Sequence, residues 1–176
     1  MGKTNYNTGI IANAFTDVAG FKEPKFFWIT ATAQGGGTFR EVTLPSDGNW
    51  YIRITLGWDA AGTVYLCFDS DQTATNYYTQ RLVADGSSLS CSCNNDNAMM
   101  TYSATGRATI NIWTTSLTGW NQSAIFECSQ LPDDAPASIF HNRGLVVHNS
   151  NSQITKIGVR HSSGFSYCGL VAYKMS

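Results

Sequence analysis

The chain has 176 residues, a formal net charge of -1 and 13% charged residues, about half the usual quarter. This balance excludes electrostatic capture of nucleic acid or of an anionic membrane surface. Membrane insertion is not expected either, because no apolar run approaches the roughly 20 residues a spanning helix needs.

The length suits one domain with a full core, or a core plus an arm. The first residues, Met1-Gly2-Lys3-Thr4-Asn5-Tyr6-Asn7, lack the charged and apolar regions of a signal peptide. The expectation is therefore a protein made in the cytoplasm. The chain has 5 cysteines, and an odd count leaves at least one thiol free, unlike a secreted disulfide framework.

Residues 1–25 are the least sheet-like. Ile10, Ile11 and Phe15 form an apolar patch, followed by Asp17, Gly20 and Pro24. Two readings stay open. The segment is an arm that docks on a neighbouring subunit or its own sheet through those residues, or it is an ordinary first strand or helix of the core.

Strands begin with 26–33, rich in aromatic and β-branched residues. Gly35-Gly36-Gly37 follows as a hairpin connection, without the pattern of a phosphate loop. Phe39–Leu44 is next, then a turn at Pro45-Ser46-Asp47-Gly48. In Trp50–Leu56, Ile52, Ile54 and Leu56 point one way and Tyr51, Arg53 and Thr55 the other. Asp59 to Gly62 turns the chain, and Val64, Leu66 and Phe68 continue the inward pattern. Residues 39–68 read as a meander of three antiparallel strands. Further strands are predicted over 77–83, 87–93, 98–103, 108–113, 124–128 and 145–148. Leu131-Pro132-Asp133-Asp134-Ala135-Pro136 is the clearest break between them. The chain closes on a predicted hairpin. Thr155, Ile157 and Val159 line one face of its first strand, Ser162-Ser163-Gly164 forms the turn, and Phe165–Tyr173 is the second strand. The sum is an all-β chain: an antiparallel β-sandwich of jelly-roll type over 26–176, with an N-terminal arm over 1–25.

No catalytic constellation stands out. There is no G-x-S-x-G elbow, and His141, His148 and His161 are not at ligand spacing on a helix. Glu41 and Glu127 are not marked as a pair for glycoside hydrolysis. No enzyme activity and no cofactor are expected. Asp69 and Asp71 imitate the start of a calcium loop without its glycine and terminal glutamate, and Cys91-Ser92-Cys93 has no second ligand pair. No metal is expected.

Binding is the better class. Trp58, Trp113 and Trp120 fall at predicted strand ends, outward faces or loops. An indole stacks on the apolar face of a sugar while neighbouring amides and carboxylates take hydroxyls. Trp58 with Asp59, and Trp120 with Asn121 and Gln122, have that make-up. The alternative is that these tryptophans cover sheet edges or subunit contacts.

Two segments carry a resemblance. Ile154 to Arg160 with the Ser-Ser-Gly turn and Phe165 to Tyr173, and separately Thr38 to Ile54, resemble the strands of bacteriophage tail-fibre and tailspike β-sandwich modules on virion surfaces. Where those modules end on Gly after the tyrosine, this chain has Lys174-Met175-Ser176. The resemblance implies a virion location, a homo-oligomer such as a trimer, contacts with other virion proteins, and recognition of a host surface glycan. The alternative is a capsid decoration or cement protein that docks through residues 1–25.

Overall fold

The computed structural model describes residues 27–33, 37–44, 47–85, 88–102, 105–132 and 140–175. Twelve strands fill them: β1 Phe27–Ala33, β2 Gly37–Thr43, β3 Gly48–Trp58, β4 Gly62–Phe68, β5 Tyr77–Asp85, β6 Ser88–Asn94, β7 Ala98–Tyr102, β8 Gly106–Ser116, β9 Ser123–Pro132, β10 Phe140–His148, β11 Lys156–Phe165 and β12 Tyr167–Lys174. A single 3₁₀ turn at Ala74–Asn76 is the only helical element among the described residues. The arm residues Ile10, Ile11 and Phe15 lie outside those residues.

Alternation dictates the layers. Ile52, Ile54 and Leu56 of β3, Val64, Leu66 and Phe68 of β4, and Ile110 and Ile112 of β8 are all fully buried, as period-2 apolar patterning requires. Trp50, Phe126, Met99, Met100, Ile157, Val159 and Leu170 join them in one cluster between the sheets. The larger sheet has the order β1-β12-β3-β8-β9-β10-β5-β6 and the smaller β2-β11-β4-β7. All the pairings are antiparallel. The quartets β1-β12-β3-β8 and β2-β11-β4-β7 are the two halves of a jelly roll, in which the chain passes repeatedly from one sheet to the other. Hairpins β5–β6 and β9–β10 are inserted into this wrap and extend the larger sheet sideways as a wing.

Three sequence expectations are corrected by this topology. The connection at Gly35-Gly36-Gly37 makes no hairpin, because β1 and β2 lie in different sheets. Residues 39–68 are no meander, because β2 pairs with β11, β3 with β12 and β8, and β4 with β11 and β7. The closing hairpin is no hairpin, because β11 and β12 lie in different sheets. Ser162-Ser163-Gly164 is a bulge within β11, where the register with β2 shifts between Arg160 and Phe165. Gly164 takes φ 100 there, a conformation that glycine adopts without steric cost. Thr155 precedes β11 and is exposed, so it does not share the core with Ile157 and Val159.

Candidate functional site

Three connections meet at the end of the sandwich where β8 finishes: residues 69–76 between β4 and β5, 117–122 between β8 and β9, and 149–155 between β10 and β11. Asn149 N–H donates to Asn76 O at 3.0 Å, Gly119 N–H to Asn151 O at 2.9 Å and Gln122 N–H to Ser150 O at 3.0 Å. Each loop is thus tied to the 149–155 segment by its own backbone.

A network of polar side chains underlies these ties. β4 ends in a tight turn, in which Asp71 N–H donates to Phe68 O at 2.9 Å. Asp69 at φ 49 and Ser70 at φ 66 occupy the left-handed region, which costs non-glycine residues on the order of 1–3 kcal/mol each. Aspartate tolerates it better than most. The turn aims the Asp69 carboxylate at the start of β11. Oδ1 accepts from Thr155 N–H at 2.7 Å, Thr155 Oγ1 at 2.8 Å and Lys156 N–H at 2.9 Å. Oδ2 accepts from Gln122 Nε2.

Gln122 is 2% exposed and bridges the loops. Because its Nε2 serves Asp69, its Oε1 faces His148 Nδ1 at 2.8 Å. The far side of that ring, Nε2, meets Asp71 Oδ2 at 2.9 Å. The ring also packs on Tyr77 at 4.5 Å between centroids. Asp71 collects Thr73 N–H at 2.8 Å on Oδ1 and Asn76 Nδ2 at 2.7 Å on Oδ2. Partial burial alone would raise the Asp71 carboxyl, but the hydrogen bonds from Asn76, His148 and Thr73 outweigh it and hold the group well below the usual carboxylate range. Tyr77 Oη closes the network, donating to Asp71 O at 2.8 Å and accepting from Phe68 N–H at 2.9 Å. Nearby, Lys156 Nζ pairs with Glu41 Oε1 at 2.9 Å, and Ser70 Oγ donates to Glu41 Oε2 at 2.7 Å.

What this end presents to solvent is different in kind. Trp120 is 74% exposed and Leu117 45%, and Thr118, Asn121, Asn149 and Asn151 are exposed beside them. The two backbone bonds at Gly119 and Gln122 bracket Trp120 and Asn121, so a large indole and an amide stand on a braced loop. Gly119 takes φ 89 in it. The carboxylates of Asp69 and Asp71 are engaged inward and that of Glu41 is paired with Lys156, while Asp47, just before β3, is exposed at the same end.

Trp58 is not part of this surface. It is 1% exposed, so its indole has no open face for a sugar, and its place in a glycan site is corrected. It closes β3 opposite Gly106, the start of β8, whereas the Trp120 loop follows Ser116 at that strand's far end. Trp58 stacks on Tyr102 at 3.9 Å between centroids, Tyr102 on His161 at 5.2 Å, and His161 contacts Phe165 at 5.3 Å. Asp59 sits exposed in the turn beyond it, apart from Trp120 and Asn121. Trp113 faces outward from β8 against Tyr51 at 5.6 Å, within a sheet face and not a loop.

The sequence did not show His148 and Asp69 as the frame of the Trp120 loop, and Gln122, expected beside Trp120 and Asn121 to take sugar hydroxyls, is corrected to a member of that frame, because it is buried and spends its amide on Asp69 and His148. The one available signal was the pair Asp69 and Asp71 in a short connection, read there against calcium. Among the described residues no group of three or more His, Cys, Asp or Glu is arranged to hold a metal ion, and no helix is long and apolar enough to cross a membrane. No family model matches the chain, and no curated protein matches it.

Proposed function

We propose that the chain is a surface module of a bacteriophage virion, in a tail fibre or tail tip, that binds a host surface glycan through the end carrying Trp120. The observation that carries this reading is an indole 74% exposed on a loop held in place by the hydrogen bonds of buried Gln122 to Asp69, His148 and Ser150. A preformed aromatic platform loses little conformational entropy on binding. Asn121, Asn149 and Asn151 are exposed around it and supply donors and acceptors for sugar hydroxyls. With the carboxylates of Asp69 and Asp71 engaged inward and Asp47 exposed, this end suits a neutral sugar better than an anionic one. The virion setting is supported by the resemblance of residues 38–54 and 154–173. Assembly as a homotrimer would multiply a weak single-site affinity through multivalency.

The test is a glycan array probed with the intact protein and with Trp120→Ala. Wild-type protein binds a subset of host surface glycans and the variant loses them. Absence of binding by the wild type to every host glycan sinks the reading.

A second reading is favoured by the outer face of the larger sheet, where Ile125, Leu145, Tyr78 and Leu82 are exposed. Such a face suits contact with other virion proteins, as in a capsid decoration protein docked through residues 1–25. Deleting those residues would then abolish incorporation into particles while the sandwich stays folded. Undiminished incorporation counts against it.

A further inference from the structure

The wing of the larger sheet ends in β6, and its chemistry points to a partner independently of the Trp120 end. Among the described residues β5 is the one ladder neighbour of β6, and every residue from Ser88 to Asn94 is exposed except Ser92, which is half-buried. A sheet edge is a template for another strand, and natural edges are ordinarily blocked by charges, proline or a bulge. β6 reads Ser-Leu-Ser-Cys-Ser-Cys-Asn and has no charge and no proline. Its ladder with β5 runs without a register shift from Thr79↔Asn94 to Asp85↔Ser88, so no bulge twists it away.

The strand is also nearly palindromic in character. Set antiparallel against its own copy with Cys91 opposite Cys91, it pairs Leu89 with Cys93, Ser90 with Ser92 and Ser88 with Asn94. This is the register that engages all seven residues, and in it each face of the joint stays uniform. A slip of one residue would set apolar against hydroxyl side chains across the whole joint. The apolar row Leu89, Cys91, Cys93 lies on the same face as Leu82 and Tyr78, since Leu82 stands opposite Cys91. Leu89 at 68%, Tyr78 at 56% and Leu82 at 44% are among the most exposed large apolar side chains of the described residues. The absence of charge on β6 selects among partners. Two copies meet with no like-charge opposition in the joint, whereas a charged partner finds no counter-charge to read.

We propose that β6 is a strand-addition interface for a second copy of this chain, related by a two-fold axis through Cys91. The joint makes one continuous sheet across two protomers and covers Leu89 of each with the Cys93 side of the other. The contact is isologous, so it closes on itself and adds to whatever other assembly the chain undergoes.

The register fixes the test. Directly opposed antiparallel residues have Cα atoms about 4.5–5.5 Å apart, within the range of about 4.4–6.8 Å that a disulfide spans. Cys93 of one protomer is displaced from Cys93 of the other by four residues, about 13 Å along the strand, beyond reach. Burial pushes the thiols of Cys67 and Cys168 up to about 12 and that of Cys128 higher still, so these three stay unreactive. Full-length protein is treated with diamide, which takes two electrons and two protons from a pair of thiols and is itself reduced to the hydrazine. Cys93→Ser yields a disulfide-linked dimer as readily as wild type, and Cys91→Ser yields none. Under reducing conditions, Leu89→Lys halves the particle mass measured by light scattering, with an unchanged melting curve. Equal cross-linking of the two cysteine variants, or a Leu89→Lys particle of wild-type mass, overturns the proposal.

Discussion

At one end of the sandwich Trp58 lies beneath a stack of Tyr102, His161 and Phe165. At the other, about 34 Å away along β8, Trp120 stands in solvent over a frame of Asp69, Asp71, Gln122 and His148. Both ends turn the chain between strands, and both hold the turn with side-chain hydrogen bonds, from Ser162 and Ser163 at the first and from Asp69 and Gln122 at the second, yet one tryptophan is packed among aromatic rings and the other stands outside. The difference teaches where function can be placed. An indole packed into the aromatic cluster is consumed by the core, whereas an indole that the loop's hydrogen bonds do not need is free to meet a partner. Trp58→Ala tests this most severely. Removing a fully buried indole costs about 3–5 kcal/mol, read as a lower denaturant midpoint at constant slope. A loss below about 1 kcal/mol, the average for an ordinary substitution, would break the comparison.

The polar end predicts a smaller and more local loss. Asp69→Asn keeps the shape but removes the charge and turns one oxygen into a donor. That donor then opposes Gln122 Nε2 or the N–H groups of Thr155 and Lys156. The cost is about 1.5–3 kcal/mol, typical of hydrogen bonds to a charged group. Hydrogen exchange locates it. The Gly119 and Gln122 amides, bonded across to Asn151 and Ser150, lose protection, while the amides of β3, flanked by β12 and β8 within the larger sheet, keep theirs. Uniform loss of protection would show that the frame is not a local device.

Much of the strand inventory was legible in the sequence, because alternation in Trp50–Leu56, Val64–Phe68 and Ala108–Trp113 follows directly from one wet and one dry face. Sheet membership was not. A proline or glycine turn says that the chain reverses but not whether it reverses within a sheet or across to the other, and for this reason residues 39–68 read as a meander and residues 155–173 as a hairpin. The first half of β10 was hidden for a second reason. Asn142 is 3% exposed and Gly144 interrupts the apolar run, because a Cβ at Gly144 would collide with Gln80 O and the Phe126 ring. The Trp120 loop was singled out correctly as exposed, and its frame was missed. Asp69 bonds a residue 86 positions away and His148 one 77 positions away, and no local pattern encodes such meetings. Trp58 misled because its position at a strand end beside Asp59 looks the same whether the indole turns out or in.

Acid separates the two ends again. Burial lowers the His161 pKa from its ordinary 6.5. Its Nδ1 accepts from Ser163 N–H at 2.9 Å, while Nε2 has no hydrogen-bond partner among the described residues. A histidine whose folded pKa is depressed resists the proton that the unfolded chain accepts. Its stabilisation is present above pH 6.5 and is lost as pH falls below it. Asp71 is depressed from 3.8, so its stabilisation survives that first window and is lost only as pH falls below 3.8. Stability against pH therefore declines in two steps. His161→Asn, whose side-chain oxygen can take the Ser163 N–H, removes the upper step and leaves the lower one. Asp71→Asn does the reverse. A single step shared by both variants would mean that the ends do not titrate separately.

The smallest expected change in stability is that of Trp120→Ala. At 74% exposure the indole contributes little to the core, and a surface substitution of this kind shifts stability by less than about 0.5 kcal/mol. The small number is what makes the variant useful. The bonds from Gly119 and Gln122 to the 150–151 backbone and from Gln122 to Asp69 and His148 do not involve the indole, so the loop keeps its course when the ring is removed. Loss of ligand in Trp120→Ala with unaltered melting and unaltered exchange at Gly119 then reports on the aromatic face alone. If instead Trp120→Ala melted like Trp58→Ala, the indole would belong to the packing of this end, and the contrast between the two tryptophans would dissolve.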